Sequence, residues 1–267
     1  MVKVCMIGMG RMGKVIVKML ADAGHEVVAA VDAPGSPTIG KNVSQLTGVE
    51  GVDVVVSSSD ELAKTLDESK PEVVIDFTIA DACIKNMRVV CENKINLVVG
   101  TTGFSDSQNN EMEKCIEDNS IGAVISPNYS VGVNAYWEVV SLAAKILKGY
   151  DIEVVEAHHR FKKDAPSGTA LKTAEVICDC LGKTLSDVAV YGREGETPRK
   201  KGEIGIHSIR AGDIVGDHTV LFSDLGERIE ITHRAHSREA FASGVVKAVE
   251  FISGRSGSFS MRDVLGI

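Results

Sequence analysis

The stretch VKVCMIGMGRMGKVIVKML, residues 2–20, decides the fold of this chain. A short apolar run is followed at once by the glycine pattern G-x-G-x-x-G and then by apolar residues at helical spacing. This is the context that a dinucleotide-binding fingerprint requires, because a helix amino terminus after the glycine turn favours the negative charge of a pyrophosphate. Gly8 permits the turn, Gly10 lets backbone N–H groups approach the ligand, and Gly13 lets the helix lie close to the strand. The predicted cofactor contacts in this loop are Gly8, Gly10, Arg11, Met12 and Gly13.

The first half of the chain repeats the alternation of short apolar runs with helical segments. After the first strand the runs are EVVAAVD, VDVVVSS, PEVVIDFT, INLVVGTTG and IGAVISPN. Runs rich in Val and Ile without in-out alternation suit strands that are buried on both faces, and intervening helices suit parallel crossovers. We therefore predict a Rossmann-like, doubly wound parallel sheet. This domain is expected to comprise residues 1–128 and 239–267, because the last helical segment, REAFASGVVKAVEFISG, is amphipathic and is expected to pack on it.

The pattern changes after residue 128. One long helical segment, SVGVNAYWEVVSLAAKILKGY, precedes the strand DIEVVEAHH, a loop and a second helix. The runs EIGIHSIRAG, DIVGDHTVLFSD and ERIEITHRAHS then follow one another with only turns between them, which favours antiparallel neighbours. We predict a second α+β domain over residues 129–238, with a mixed or antiparallel sheet, that binds substrate and carries the oligomer contacts.

Composition limits the function further. The 267 residues carry a formal net charge of −8, which argues against a nucleic-acid or acidic-membrane surface as the main partner. The amino terminus begins a strand directly rather than a signal peptide, and no apolar run has the length of a membrane span. Six cysteines without C-x-x-C pairing indicate reduced, structural thiols. We therefore expect a cytoplasmic protein without a metal site.

Further cofactor contacts are expected where later strands end. Asp32 ends the second strand, about 20 residues after the glycine motif, and is placed to accept hydrogen bonds from the adenosine ribose hydroxyls. No arginine follows it to meet a 2′-phosphate, so we expect NADH to serve at least as well as NADPH, although Arg11 or Lys41 could still meet that phosphate. Turn formation alone is an alternative role for Asp32 and for the loops GTTG and PNYS. The candidates in those loops are Gly100, Thr101, Thr102, Ser126, Pro127, Asn128 and Tyr129.

The stretch EAHHRFKKDAPSGTA, residues 156–170, gathers the proton carriers and cations of the second half. Successive strand residues face opposite sides, so His158 and His159 do not suit one shared metal site. Lys162 lies on the following loop, where a cation can hold a carboxylate and deliver a proton. A solvated loop, with a histidine bonded to a backbone carbonyl, is the alternative. The start of the next helix offers N–H groups and hydroxyls as a carboxylate seat at Ser167, Gly168 and Thr169.

Five other charged residues receive minor roles in this interpretation. Asp164 is expected to brace the loop. Arg210 and Asp213 are interpreted as turn residues, with bracing of the substrate loop as the alternative role. Arg193 and Arg199 are expected to face solvent.

The ordered motifs of the chain resemble the dihydrodipicolinate reductase family. They are GMGRMG, VVIDFT, VGTTGF, PNYSVGVN, EAHHRFKKDAPSGTA, RAGDIVGDHTV, ITHRAHSR and MRDVL. The resemblance implies reduction of a small cyclic dicarboxylate by NADH or NADPH in lysine and diaminopimelate biosynthesis, by a homotetramer. It implies His158 and Lys162 as the acid pair, and substrate contacts from His159, Lys162, Gly168 and Thr169. The chain departs from many members of the family by a shorter glycine loop and by the missing arginine after Asp32.

Two other functions remain open at this point. A module that senses NADH would bind the dinucleotide without turnover, but the sequence shows no helix-turn-helix motif or basic patch to carry an output. A semialdehyde dehydrogenase would need a nucleophilic cysteine in a loop. None of the six cysteines is so placed, and the placement of Cys83 is left open.

Overall fold

The computed structural model describes the whole chain, Met1–Ile267. The chain divides into two compact units, described separately below. Unit 1 comprises Met1–Val131 and Phe241–Ile267, and unit 2 comprises Gly132–Ala240. None of the helices combines the length and the apolar composition that a membrane span requires.

Unit 1 is built on a seven-stranded sheet in which all pairings are parallel. Its strands are β1 (Lys3–Ile7), β2 (Glu26–Asp32), β3 (Val56–Ser58), β4 (Val73–Asp76), β5 (Asn96–Val99), β6 (Gly122–Ile125) and β12 (Gly257–Phe259). The strand order β12-β6-β5-β4-β1-β2-β3 confirms the doubly wound prediction. Because β1 lies between β2 and β4, the order reverses there, and crevices at such a reversal are where open α/β sheets bind ligands.

Seven helices contribute to unit 1. They are α1 (Arg11–Asp22), α2 (Val43–Thr47), α3 (Leu62–Ser69), α4 (Ala80–Glu92), α5 (Asp106–Asn119), α9 (Glu239–Ile252) and α10 (Met261–Leu265), with a 3₁₀ turn at Ser59–Glu61. Two apolar cores lie in the unit, and one of them includes Ala242, Val245 and Val249 of α9. Helix α9, from the carboxyl-terminal part of the chain, therefore completes the core of unit 1.

Two details of this sheet differ from the sequence-based expectation. Only Val56–Ser58 of the run VDVVVSS forms a strand, while Val52 and Val54 pack against the core from an irregular segment. The sequence analysis missed β12, whose three residues are Gly257, Ser258 and Phe259. A strand this short carries no detectable alternation, so its pairing with β6 is a tertiary effect.

Unit 2 contains a five-stranded mixed sheet with helices packed against its apolar core. The strands are β7 (Asp151–His158), β8 (Ala189–Tyr191), β9 (Ile204–Arg210), β10 (Gly216–Asp224) and β11 (Glu227–Ala235), and the helices are α6 (Val131–Ile146), α7 (Gly168–Leu181) and α8 (Leu185–Val188). Strand β7 alternates buried and half-buried residues, since Ile152 and Val154 join the core that α6 and α7 cover.

The expected antiparallel pairing of β9 with β10 is wrong. The sheet order is β11-β10-β7-β9-β8, so β7 lies between them, parallel to β9 and antiparallel to β10. The loop after β9 crosses the end of β7: Ala211 N–H donates to the His158 carbonyl (2.9 Å), and Arg160 N–H donates to the Gly212 carbonyl (3.2 Å). This crossing places β10 on the opposite side of β7, next to the histidine that β7 carries at its end.

Candidate active site

The glycine loop of unit 1 has two glycines fixed by packing and one that faces open space. Gly8 has a φ of +96°, and a Cβ there would lie 2.5 Å from the Phe77 carbonyl oxygen. A Cβ on Gly13 would lie 2.0 Å from the Gly8 carbonyl oxygen, whereas a Cβ on Gly10 would meet nothing within 4 Å. Gly10 caps α1 without a side-chain hydrogen bond. The loop therefore leaves the amino terminus of α1 accessible for an anionic ligand.

The remaining two loop residues differ in exposure. Arg11 is exposed at the first position of α1, and Met12 is half-buried against the core of unit 1. Arg11 is therefore the nearest cation along the chain to the open backbone of Gly10, and Met12 fixes the helix to the sheet.

Asp32 ends β2 with its carboxylate held by its own turn. One oxygen accepts the Ala33 N–H (2.9 Å), and the other accepts the hydroxyls of Ser36 (2.8 Å) and Thr38 (2.6 Å). The carboxylate is half-buried at the carboxyl edge of the sheet. These contacts fix its orientation, as a turn-bracing role requires, and a ribose hydroxyl would have to share the same oxygens.

A buried carboxylate that sequence reasoning missed organises the next loop. Asp76, 1% exposed at the end of β4, accepts hydrogen bonds from the Thr78 hydroxyl (2.6 Å), the Thr101 hydroxyl (3.0 Å) and the Asn86 amide (2.8 Å). Thr101 is itself buried, and a Cβ on Gly100 would lie 2.2 Å from the Phe77 ring. Its neighbour Thr102 is exposed. The run VVIDFT held the signal, since a strand that ends in an acid beside hydroxyl residues predicts such bracing.

The loop after β6 separates one buried aromatic residue from exposed neighbours. Tyr129 is 2% exposed, and its hydroxyl lies 2.9 Å from the Val99 carbonyl oxygen and 2.8 Å from that of Val124. Burial raises the pKa of Tyr129 well above its ordinary value. Ser126 is buried and donates to the Asn128 carbonyl (2.9 Å), while Pro127 is exposed. The Tyr129 side chain therefore holds this loop to β5 and β6, and Pro127 and Asn128 form its accessible part.

The centre of the unit 2 site is a carboxylate that contacts His158. Glu156 and His158 are two residues apart on β7 and so lie on one face of the sheet. The Glu156 side chain is 0% exposed, and one of its oxygens lies 2.6 Å from His158 Nδ1. Arg210, at the end of β9, donates to both Glu156 oxygens (2.8 and 2.7 Å), and the Ser167 N–H donates to one of them (3.0 Å). Four donors thus surround one buried acid.

The ionisation of this pair follows from the contacts. Burial alone would raise the pKa of Glu156, but hydrogen bonds from Arg210 and His158 outweigh it and lower that pKa to about 2. Burial lowers the pKa of His158 below its ordinary value, and the hydrogen bond to Glu156 opposes this only in part. The protein therefore holds an ionised carboxylate against a histidine that is neutral at neutral pH.

A second buried histidine lies beside the first. His218 on β10 is 4% exposed, and its ring centroid is 5.2 Å from that of His158 in an edge-on arrangement. Its Nε2 is 3.1 Å from the Ser167 hydroxyl. Burial, and to a lesser extent the neighbouring His158, lower the pKa of His218 to about 3. His218 is thus a neutral packing and hydrogen-bonding partner.

Lys162 and the start of α7 form the accessible part of the site. Lys162 lies in a turn closed by its N–H to the His159 carbonyl (3.1 Å), and its ammonium pairs with Asp164 (2.9 Å). Ser167 caps α7 by accepting the Ala170 N–H (3.3 Å), so its hydroxyl is engaged in the fold. Gly168 is exposed, Thr169 is half-buried, and His159 is half-buried with its ring 6.3 Å from that of Phe161. Unit 2 therefore brings His158, Lys162 and the α7 amino terminus into one loop region.

Three arginine interpretations are resolved by these contacts. Arg210 braces the loop after β7, because besides Glu156 it donates to the Asp164 carbonyl (2.7 Å). The expectation that Arg199 faces solvent is wrong, because this residue is half-buried, whereas Arg193 is exposed as expected and also forms an ion pair. Arg199 contacts Glu153 and pairs with Asp151 (2.9 Å), and Arg193 pairs with Glu203 (3.0 Å). Acidic residues on β7 and before β9 attract these arginines, and the pairing depends on tertiary contacts.

The cysteines offer no activated thiol to the dehydrogenase alternative. All six are free, and Cys83 is buried in α4. Burial, with the nearby charge of Asp76, raises the pKa of Cys83 well above its ordinary value, and burial raises that of Cys5 to about 12. Thiols of this kind stay protonated and inert at neutral pH.

Comparison with known proteins identifies the family. The family model for the dihydrodipicolinate reductase N-terminus matches residues 2–129, and the model for the C-terminus matches residues 132–265. This chain belongs to the dihydrodipicolinate reductase family. The family is one of NAD(P)H-dependent oxidoreductases, and the chain is such an enzyme.

Individual relatives agree over the full length. The 4-hydroxy-tetrahydrodipicolinate reductase of Methanocaldococcus jannaschii is 49% identical over 100% of this chain and 98% of its own. That of Methanothermobacter thermautotrophicus is 48% identical over 100% of both chains. A dipicolinate-bound dihydrodipicolinate reductase from a Paenisporosarcina species superimposes with a TM-score of 0.77 at 28% identity, covering 97% of each chain. A myo-inositol dehydrogenase from Lactobacillus casei, at 13% identity and a TM-score of 0.62 over 98% and 90%, shares the fold alone.

Proposed function

We propose that this chain reduces 4-hydroxy-tetrahydrodipicolinate to tetrahydrodipicolinate with NADH or NADPH, a step of lysine and diaminopimelate biosynthesis. The observation that carries the proposal is the loop region of unit 2, where a buried histidine, a lysine and an accessible helix amino terminus lie together. These groups match the charge and the proton requirement of a small cyclic dicarboxylate. His158 is held by Glu156 at 2.6 Å, and Lys162 pairs only with the 60% exposed side chain of Asp164. An incoming carboxylate can replace Asp164 on the ammonium at little cost, since an exposed ion pair is weak.

The residues of unit 1 fit a dinucleotide. Gly10 has open space at its Cα, α1 presents its N–H groups, and Asp32 stands at the end of β2. In the proposed complex, Gly8, Gly10 and Gly13 shape the pyrophosphate loop, Arg11 neutralises charge, and Asp32 orients the ribose. The loops at Gly100–Thr102 and Ser126–Tyr129 hold the nicotinamide end, with Thr102, Pro127 and Asn128 as their accessible members. The bound cofactor supplies the hydride.

The residues of unit 2 hold the dianion and supply the proton. Lys162 binds one carboxylate and is the general acid, and His158 assists it from the adjacent strand end. His159, Ser167, Gly168 and Thr169 form the seat for the other carboxylate, where the α7 amino terminus stabilises negative charge. The 4-hydroxyl group leaves as water, which gives the conjugated ring that accepts the hydride. Hydride addition then leaves an electron-rich carbon that must be protonated, and a positioned acid accelerates such a step about 10²–10⁴-fold.

Cofactor preference is part of the proposal. In the proposed complex, the carboxylate of Asp32 lies where the 2′-phosphate of NADPH would lie, and the turn residues after it provide hydroxyls and no cation. NADH should therefore bind at least as well as NADPH. In Asp32→Ala we expect the NADH to NADPH ratio of kcat/KM to fall, because the repulsion of the phosphate is removed. An unchanged ratio would assign Asp32 to the turn alone.

The proposed assembly is a cytoplasmic homotetramer built through unit 2. Strand β11 is an edge strand of nine residues, and Ile229 on it is 46% exposed. Long edges of this kind need a partner or protection. Sedimentation velocity of the purified protein tests this assembly, and a monomer at working concentration would contradict it.

Turnover with the enzymatically generated substrate tests the reaction. The product of dihydrodipicolinate synthase is made in the cuvette, and loss of nicotinamide absorbance is followed with NADH and with NADPH. We expect oxidation that depends on the synthase product and a loss of about 10²-fold or more in kcat for Lys162→Ala. The matched control is Lys163→Ala, which removes the exposed neighbouring lysine. Tight NADH binding without oxidation would replace the reductase by a dinucleotide sensor.

A further inference from the structure

Glu156 is a fully buried charged residue that the proposed reaction does not use. Arg210 donates a hydrogen bond to each of the two carboxylate oxygens of Glu156. The Ser167 N–H donates to one of these oxygens, and His158 Nδ1 lies within hydrogen-bond distance of the other. Buried carboxylates are costly unless they are paired and hydrogen-bonded, so a site that surrounds one with four donors holds it in a defined state. That state is an ionised acceptor, because Arg210 and Ser167 can only donate to it.

The acceptor decides which nitrogen of His158 carries hydrogen. At 2.6 Å from an ionised carboxylate oxygen, Nδ1 must be the donor. A neutral imidazole has one N–H, so Nε2 is then the bare nitrogen. The other charged and titratable groups around the ring are Arg210 from β9, His218 from β10 and Lys162 from the loop. None of them offers Nδ1 a competing acceptor, since Arg210 and Lys162 are cations and His218 lies edge-on.

We propose that Glu156 is a positioning residue of the reduction, one that fixes the Nδ1–H tautomer of His158 so that protons enter and leave through Nε2. Arg210 keeps Glu156 ionised and therefore keeps it an acceptor. The inference rests on the proposed function for the importance of that proton, whereas the tautomer itself is a property of unit 2 alone. Carboxylates hold catalytic and metal-bound histidines in this way in unrelated proteins.

A merely structural role for Glu156 makes a different prediction. The acid also receives the Ser167 N–H (3.0 Å) and so anchors the start of α7, which forms the carboxylate seat. If anchoring were its whole role, loss of Glu156 would raise KM for the dicarboxylate and leave the tautomer of His158 unchanged. If it positions His158, kcat falls and the tautomer reverses.

The variant Glu156→Gln separates these roles at nearly constant shape. Its amide oxygen can still accept from Arg210 and Ser167, while its amide nitrogen would donate to Nδ1 and force the hydrogen to Nε2. We expect kcat to fall about 10²-fold or more, because a fixed wrong tautomer disables a catalytic histidine, with KM changed less than about threefold. Glu156→Asp keeps the acceptor and should recover part of kcat. Unchanged kcat in a folded Glu156→Gln protein would overturn the proposal.

Nitrogen NMR of the imidazole gives a readout that needs no substrate. In the full-length protein labelled with ¹⁵N-histidine, His158 is assigned by comparison with His158→Asn. We expect protonated Nδ1 and bare Nε2 in the wild type, and the reverse in Glu156→Gln. A wild-type spectrum with protonated Nε2 overturns the proposal even if no variant folds. The expected tautomer in a protein that fails the turnover assay would instead reject the proposed function and leave the tautomer assignment standing.

Discussion

The two candidate ligand regions of this protein are built by opposite means. In unit 1 the glycine loop depends on the absence of side chains. Gly8 and Gly13 allow close backbone contacts that any Cβ would block, and Gly10 leaves open space. In unit 2 the region depends on specific polar side chains, since Arg210 and Glu156 hold His158 through a buried network of hydrogen bonds and one ion pair. The first region is therefore sensitive to volume, and the second is sensitive to charge and pH.

The most severe test of this comparison breaks the buried ion pair. In Arg210→Met the Glu156 carboxylate keeps its place but loses its bidentate cation, and breaking such a pair costs about 3–5 kcal/mol of unfolding free energy. The pKa of Glu156 should rise toward its ordinary value in this variant. As pH falls from 4.5 to about 2, the variant should therefore lose less stability through this carboxyl group than the wild type loses. Urea unfolding at several pH values measures both effects. A variant as stable as wild type would show that the network is dispensable.

A purely steric test addresses the glycine loop. In Gly13→Ala the new Cβ would lie 2.0 Å from the Gly8 carbonyl oxygen, and because both partners are backbone no rotamer change can relieve the clash. We expect a cost of about 3 kcal/mol, at the upper end for overpacking, together with loss of NADH binding by calorimetry.

The matched control for this test is Gly10→Ala. Its Cβ meets nothing within 4 Å, so stability should stay within about 1 kcal/mol of wild type while NADH affinity falls. Equal destabilisation by the two alanines would contradict the distinction between packed and open glycines.

The charge sensitivity of unit 2 also predicts its response to acid. The pKa of His218 is lowered by burial from 6.5 to about 3. At pH values between these two, the histidine is therefore protonated in the unfolded chain and neutral in the folded protein. Stability is therefore lost as pH falls, by about 2 kcal/mol from this histidine between pH 7 and pH 5. His218→Gln, which keeps a polar group near Ser167, should lose less over the same interval. Identical pH dependence of the two proteins would assign the acid sensitivity to other groups.

The smallest effect is expected for an exposed ion pair in unit 1. Arg88 contacts Glu111 at 2.5 Å, but the two side chains are 57% and 39% exposed. Exposed pairs gain little because water screens them. Arg88→Met should leave the thermal midpoint essentially unchanged, in contrast with Arg210→Met. A large shift would mean that exposure does not distinguish the two pairs.

Sequence reasoning found the parts of the protein that local pattern determines. The strand, glycine loop and helix at Gly8–Gly13 are contiguous, and six of the seven strands in unit 1 have apolar runs of their own. It placed His158 and Lys162 in one loop region because they are four residues apart in the chain. Each of these signals lies within a short segment, so no tertiary contact had to be known.

Contacts between distant segments could not be found in that way. Arg210 lies 54 residues from Glu156, and only the register of β9 against β7 brings them together. The strand order could not be found from the sequence either, because β7 lies between β9 and β10, which are consecutive in the chain. Glu156 itself had a usable local signal, since it lies two residues before His158 on a strand and so shares its face. An acid at that spacing before a candidate catalytic histidine indicates a positioning carboxylate.

The central claim is that the chain transfers hydride from a nicotinamide to the dicarboxylate ring. The most direct measurement is isotope transfer: NADH deuterated at the transferring carbon is incubated with the synthase product and the enzyme, and the product is analysed by mass spectrometry. We predict one deuterium in the ring with wild type and in Lys163→Ala, and about 10²-fold slower incorporation with Lys162→Ala. Saturating NADH binding with no deuterium in the product would contradict the account.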